Sequence, residues 1–188
     1  MTPVYLIVGL VVLAILVVAL LYNSLVGKKN QVENAFAGMD ALLKKRYDLI
    51  PNLVSAVQRY MRHEAGVLKD VTALRARAMN PNATTDEKVE ANNLLGKALG
   101  GILVAVEQYP DLKANASFLH LQASLNEVEE QISAARRNYN AWVTDLNNAV
   151  EMFPTNLLAS LMGYERRRLF DIPESERQAP NVKALFQS

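Results

Sequence analysis

Residues 4–21 are eighteen consecutive Val, Leu, Ile, Ala, Tyr and Gly residues with no charge among them. A hydrocarbon core of about 30 Å takes roughly 20 apolar helical residues rising about 1.5 Å each, so by length and composition this run reads as a membrane span. Thr2 can cap such a helix, Pro3 suits its first turn, and Tyr5 and Tyr22 stand where amphipathic rings favour the headgroup layer. A cleavable leader would need a basic segment, a shorter apolar core and a small-x-small cleavage site. Met1-Thr2-Pro3 has no side-chain charge and Val17-Val18-Ala19 is a poor site. Residues 1–27 therefore read as a transmembrane anchor that meets the lipid bilayer through residues 4–22. The first charges, Lys28 and Lys29, and then Lys44, Lys45 and Arg46, all follow the span. The positive-inside rule then predicts a single-pass protein of the cell (inner) membrane, with its N-terminus outside and its larger domain in the cytoplasm.

The residues beyond Gly27 suffice for one domain with a core of its own. They hold all 20 Lys and Arg and all 19 Asp and Glu. Such a balance gives no net field to concentrate nucleic acid or an anionic substrate, and no nucleic-acid partner is expected. The chain has no cysteine, which excludes disulfides, thiolate metal sites and thiol chemistry.

From Val32 the apolar residues recur in steps of three and four, through Phe36, Met39, Leu43, Ile50, Leu53, Val57, Tyr60, Val67, Val71, Leu74 and Ala78. This is heptad packing, widened by Ala35, Leu42 and Leu49 into the face of a helix within a bundle. Arg46 and Glu64 fall on the seam, where a polar side chain either pairs locally or fixes register and copy number. Pro51 removes a helical hydrogen bond and disfavours helical geometry at Ile50, so a hinge is predicted there and not a full stop.

Asn80-Pro81-Asn82 marks a turn, and Thr84 with Glu87 has capping-box spacing for a second helix. Gly96, Gly100 and Gly101 inside that helix each cost about 1 kcal/mol against alanine, which predicts a closely approaching neighbour. After Tyr109-Pro110-Asp111, Asn115 or Ser117 caps a third helix. There Phe118, Leu121, Leu125, Val128, Ile132, Ala135, Tyr139, Trp142, Leu146, Ala149 and Phe153 alternate by three and four. A near-straight rod of about 54 Å follows, with Glu129 and Arg136 as a solvated rim beside its stripe. Phe153-Pro154 turns the chain into a short fourth helix closed by Gly163. Arg166-Arg167-Arg168 reads as a solvated surface or a contact for anionic lipid. The predicted fold is all-α: a transmembrane helix, an antiparallel up-down four-helix bundle over residues 28–170, and an irregular tail over 171–188.

A second helix of about 25 residues running back from the Asn80 turn ends level with residue 54. Residues 28–50 are then a membrane-proximal stalk whose apolar side chains Val32, Phe36, Met39, Leu43 and Ile50 have no helix of their own chain beside them. Leaving them wet would forfeit about 1.5 to 3 kcal/mol for each large side chain. The stalks of several copies are therefore expected to pack together in a homo-oligomer, with Arg46 helping to set copy number and the bundles splaying at Pro51. The competing expectation has the tail, through Leu185 and Phe186, folding back over the stalk.

Tyr22-Asn23-Ser24-Leu25-Val26, the run RYDLIPNLV from Arg46 to Val54, YPDLKAN from Tyr109 to Asn115 and Ala135-Arg136-Arg137-Asn138-Tyr139-Asn140 resemble the bacterial LemA family. The resemblance covers about residues 22 to 183. It implies an N-terminal anchor followed by an antiparallel helical bundle, no catalytic residues and no cofactor. A branch of the family is associated with forming intracellular membrane compartments, which implies a scaffold role. Some relatives have an acylated cysteine just before the Tyr-Asn motif; Leu21 stands there in this chain, so lipoprotein topology does not carry over.

Read residue by residue, catalytic, cofactor and metal sites are not expected. His63 and His120 do not follow a glutamate by three, and no second histidine completes the half motif His63-Glu64. Glu127 and Glu130 have no further ligand at helical spacing, and no phosphate loop or nucleophile elbow occurs. The function expected is that of a non-enzymatic, self-associating, membrane-anchored scaffold that organises membrane or membrane-protein assemblies. The alternative is a regulatory adaptor whose bundle binds another membrane machine, a protease or sensor, through an unidentified protein partner.

Overall fold

The computed structural model describes residues 2–61 and 65–171. Within them the chain forms α1 (Thr2–Val57), α2 (Ala65–Ala78), α3 (Thr85–Val106), α4 (Pro110–Lys113), α5 (Ala116–Glu151) and α6 (Thr155–Leu161), and no strand. Glu64, His63 and the tail with Leu185 and Phe186 lie outside the described residues.

α1 is a single helix of 56 residues, about 84 Å long. Its first third is covered by nothing, with Leu6, Leu10, Leu13 and Leu20 more than half exposed. An uncovered apolar helix of this length indicates membrane anchoring. The helix then continues without a break into the core, where Leu25 is fully buried. α3 is also long and apolar enough to span a membrane, but Val89, Leu95, Leu99, Ile102 and Val106 are buried inside the bundle. It is a core helix.

Above its uncovered segment, α1 lies along α5. Leu25 shares a cluster with Ala149, Lys28 faces Asp145 at 4.0 Å, the Phe36 ring meets the edge of Tyr139 at 5.9 Å, and Arg46 reaches Glu129 at 2.9 Å. Partner numbers fall along α5 as they rise along α1. This pairing overturns the uncovered stalk. Val32, Met39, Leu43, Arg46 and Ile50 are all buried within one chain, and Phe36 packs against the same core. The reason is length. α5 has 36 residues against 22 for α3, about 54 Å against about 33 Å, so its C-terminal half runs on past the end of the α2–α3 hairpin and shelters the stripe. The inference of a homo-oligomer from wet apolar residues loses its premise.

The helical run passes through Pro51 and stops at Val57, where Tyr60 and Met61 donate backbone bonds to the Val57 carbonyl. The heptad pattern between Val32 and Ala78 is thus shared by two helices, α2 turning back beside α1. At the start of α3 the capping box is complete: Glu87 N–H donates to Thr84 Oγ1 at 3.3 Å and Thr84 N–H to Glu87 Oε2 at 2.7 Å. The Thr84 N–H, and after it the Thr84 hydroxyl donating to the same Oε2 at 3.0 Å, hold the Glu87 carboxyl below its usual range. The close helix approach predicted for Gly96, Gly100 and Gly101 is absent, since a methyl at each would meet nothing within 4 Å. At the other end of the chain α6 closes in a Schellman motif: Gly163, at φ 66°, donates to Ser160, and Tyr164 N–H donates to the Ala159 carbonyl.

Thr84→Ala is expected to destabilise the chain by about 1 kcal/mol, and Gly100→Ala, with open space and a helical backbone, to stabilise it by about 0.5–1 kcal/mol. Urea unfolding followed by circular dichroism checks both. Because the Glu87 pKa is lowered on folding, its contribution is present above the ordinary carboxylate range and is lost as pH falls through the folded value. Protection factors of the amides at the start of α3 are expected to fall in that acid window in the parent and to stay nearly constant there in Glu87→Gln.

Candidate functional site

Two polar assemblies organise the interior. The first centres on Arg46, a seam position of α1 that is completely buried. One guanidinium nitrogen donates to Glu129 on α5 at 2.9 Å and the other to the Asn92 side-chain oxygen on α3. Tyr47 OH donates to the same Asn92 oxygen at 2.9 Å, and the Asn92 amide donates back to the Lys88 carbonyl at 2.8 Å. Arg75 on α2 closes the group by donating to the Tyr47 carbonyl at 2.7 Å. Three helices meet here through one fixed, planar donor, and a second guanidinium, that of Arg75, ties in α2. Burial raises the Tyr47 pKa above its usual value, outweighing the hydrogen bond with Asn92 and the charge of Arg46.

The second assembly receives the extended segment 164–171, which lies between α3 and α5. Asn147 both donates to the Arg167 carbonyl at 3.0 Å and accepts the Arg167 N–H at 2.8 Å. Asn140 clasps Phe170 in the same way, both bonds 2.9 Å, and Asn93 accepts the Asp171 N–H at 3.0 Å. Side-chain amides thus supply the donor and acceptor that a neighbouring strand would. Phe170 is inserted into the core, edge-on to Tyr139 at 5.3 Å, with the Arg136 guanidinium 5.8 Å from its ring centre. Burial, then the Asp86 carboxylate, pushes the Tyr139 phenol well up.

The solvated-rim reading of Glu129 and Arg136 is therefore corrected: Glu129 is the partner of Arg46, and Arg136 is buried against Phe170. Arg46 pairs within its own chain. Arg166 and Arg168 reach Glu151 and Glu90, each at 2.7 Å, while the Arg167 backbone is clasped. Phe153, placed on the α5 stripe, is 79% exposed, while Trp142 packs partly buried against the core and Val143 beside it is fully buried. His120, Glu127 and Glu130 are exposed, and no cluster of metal-ligating side chains occurs among the described residues. The asparagine clasps went unread, although Asn140 and Asn147 are seven apart, on one face of α5. What these groups can do chemically is align helices and hold an extended backbone.

The family model of the LemA family matches residues 35–184. The chain is similar to Protein LemA of Metamycoplasma hominis, 28% identical over 155 residues, covering 82% of this chain and 71% of that one. It is also similar to Magnetosome protein MamQ 2 of Paramagnetospirillum magneticum, 35% identical over 80 residues, or 43% of this chain and 29% of the relative. Magnetosome protein MamQ of Magnetospirillum gryphiswaldense is 32% identical over the same shares. The chain thus spans less than a third of the magnetosome relatives it matches.

Glu129→Ala, which leaves the completely buried Arg46 charge with only the Asn92 oxygen, is expected to cost about 3 kcal/mol or more, whereas Arg46→Met, which leaves Asn92 bonded to Tyr47 and Glu129 partly solvated, costs less. Urea unfolding of the two variants checks the order. Because the Tyr139 pKa rises on folding, its contribution is intact below the ordinary tyrosine value of 10.0 and is lost as pH climbs through the folded value. Stability is expected to fall above about pH 10, less steeply in Tyr139→Phe, in unfolding curves at graded alkaline pH.

Proposed function

The chain belongs to the LemA family, and on that premise we propose a non-enzymatic, single-pass membrane-anchored scaffold that organises membrane or membrane-protein assemblies. The observation that carries the reading is the unbroken course of α1 from an uncovered apolar segment into the core at Leu25, which makes bundle and anchor one mechanical body. Its soluble part is an antiparallel up-down four-helix bundle of α1, α2, α3 and α5, facing the cytoplasm with the N-terminus outside. The buried polar groups support a structural role, since Arg46, Asn92, Asn140 and Asn147 are engaged with one another or with backbone. Similarity to proteins named for the magnetosome supports service to a cellular assembly. Self-association, in this reading, uses surfaces other than Val32, Phe36, Met39, Leu43, Arg46 and Ile50.

The adaptor reading has one observation in its favour. On α3, Val104 is 72% and Leu94 38% exposed beside uncovered Gly100 and Gly101, a small-residue and apolar face open to another protein.

Purification under native conditions in mild detergent, with mass measured across a wide concentration range, separates the two. A pure homo-oligomer is expected for the scaffold; a single copy bound to a stoichiometric foreign subunit would mark the adaptor, and a solitary monomer throughout would remove both. A reporter active only in the cytoplasm, fused after Ser188, is expected to be active.

A further inference from the structure

Between Glu151 and Glu165 the chain carries no charge: Met152-Phe153-Pro154 leads through α6 to Met162-Gly163-Tyr164. This stretch is the turnaround at the anchor end of the bundle. α5 descends along α1 until Ala149 shares a cluster with Leu25 and with Ala159 of α6. Three residues further on, about 4.5 Å lower, Met152 and Phe153 are level with Leu21 and Tyr22, where the span ends. The chain then reverses through α6, and by Arg167 it is climbing beside Asn147.

The side chains on this end are apolar and uncovered. Met152 is 62%, Phe153 79%, Leu157 60% and Leu161 84% exposed, while Ala159 faces inward and is fully buried. A short helix with a small buried face and large apolar side chains outward is reversed relative to a helix in water. The charged neighbours are occupied: Lys29 with Glu33 at 3.5 Å, Arg166 with Glu151 at 2.7 Å and Lys28 near Asp145.

We propose that the α5–α6 turnaround is a second membrane contact, with Met152, Phe153, Leu157 and Leu161 seated in the headgroup and upper acyl region of the leaflet from which α1 emerges. The occupant is lipid because the patch is continuous with the span and lies at its level, on the face that the anchor brings to the bilayer. Its attraction is apolar insertion and not charge, since the flanking cations are paired. Two contacts on one rigid body would fix both the height and the tilt of the bundle. The inference rests on the reading of residues 4–22 as a membrane span.

The natural absence of cysteine allows single fluorophores to be placed on the full chain in phosphatidylcholine vesicles. Labels go on Leu161→Cys, on Val12→Cys within the span, and on Val104→Cys at the far end of α3. Lipid carrying a nitroxide high on its acyl chain is the quencher. Leu161→Cys is expected to lose several-fold more emission than Val104→Cys, at low and high salt alike, and to lose that excess when Leu157→Asp is added. A Leu161→Cys signal no more quenched than that of Val104→Cys, with Val12→Cys quenched, overturns the second contact and leaves the span standing. Failure at Val12→Cys overturns the span and the contact with it. A Leu161→Cys label shielded from water yet untouched by nitroxide lipid means that protein covers the patch. Quenching that requires anionic lipid and vanishes in salt means charge and not insertion. Either result overturns the proposal.

Discussion

The apolar seam between α1 and α5 is what the rest of the molecule depends on. α1 leaves its uncovered segment carrying a stripe that includes Val32, Met39, Leu43 and Ile50, and a helix with such a face holds its place only if something dry lies against it. α5 supplies that surface over its whole length. Because the two helices are matched from Leu25 to Arg46, the hairpin of α2 and α3 has only the upper part of α1 left to pack on. Segment 164–171 then fills the remaining groove, with Phe170 as its plug.

Apolar contact is permissive about register; the polar groups remove that freedom. A slide of one heptad between α1 and α5 would preserve grease against grease but would part Arg46 from Glu129 and Asn92, leaving a charge buried without partners. The asparagine clasps do the same for the extended segment, since each reads a backbone donor and acceptor at a fixed position. Such groups add little net stability over apolar packing, and their effect is a single alignment.

Much of this was legible in the residues. The heptad run from Phe118, the capping box at Thr84 and the closure at Gly163 are local signals with local causes, and the corresponding elements form where they are expected. What sequence spacing could not supply was partner choice. The stripe of α1 announces that it must be covered, but whether α3, α5 or another copy covers it depends on the length and direction of helices a hundred residues away. The mistaken stalk came from pairing α1 with the nearer helix in sequence. Arg46 was marked as a seam oddity, yet its partners are 46 and 83 residues distant. Asn140 and Asn147 give no signal in the sequence, because the backbone they hold has no pattern of its own.

A single helix that begins in an apolar sleeve and ends at Val57 behaves as a lever. From Leu25 to Val57 it extends about 48 Å, and a lean of about 20°, common for membrane helices, would carry its tip sideways by roughly 16 Å. The helix is continuous over that arm, running through Pro51, so a change in lean at its base is carried to the far end as displacement. Whatever sets the lean of the apolar segment therefore sets where the far end of the bundle stands.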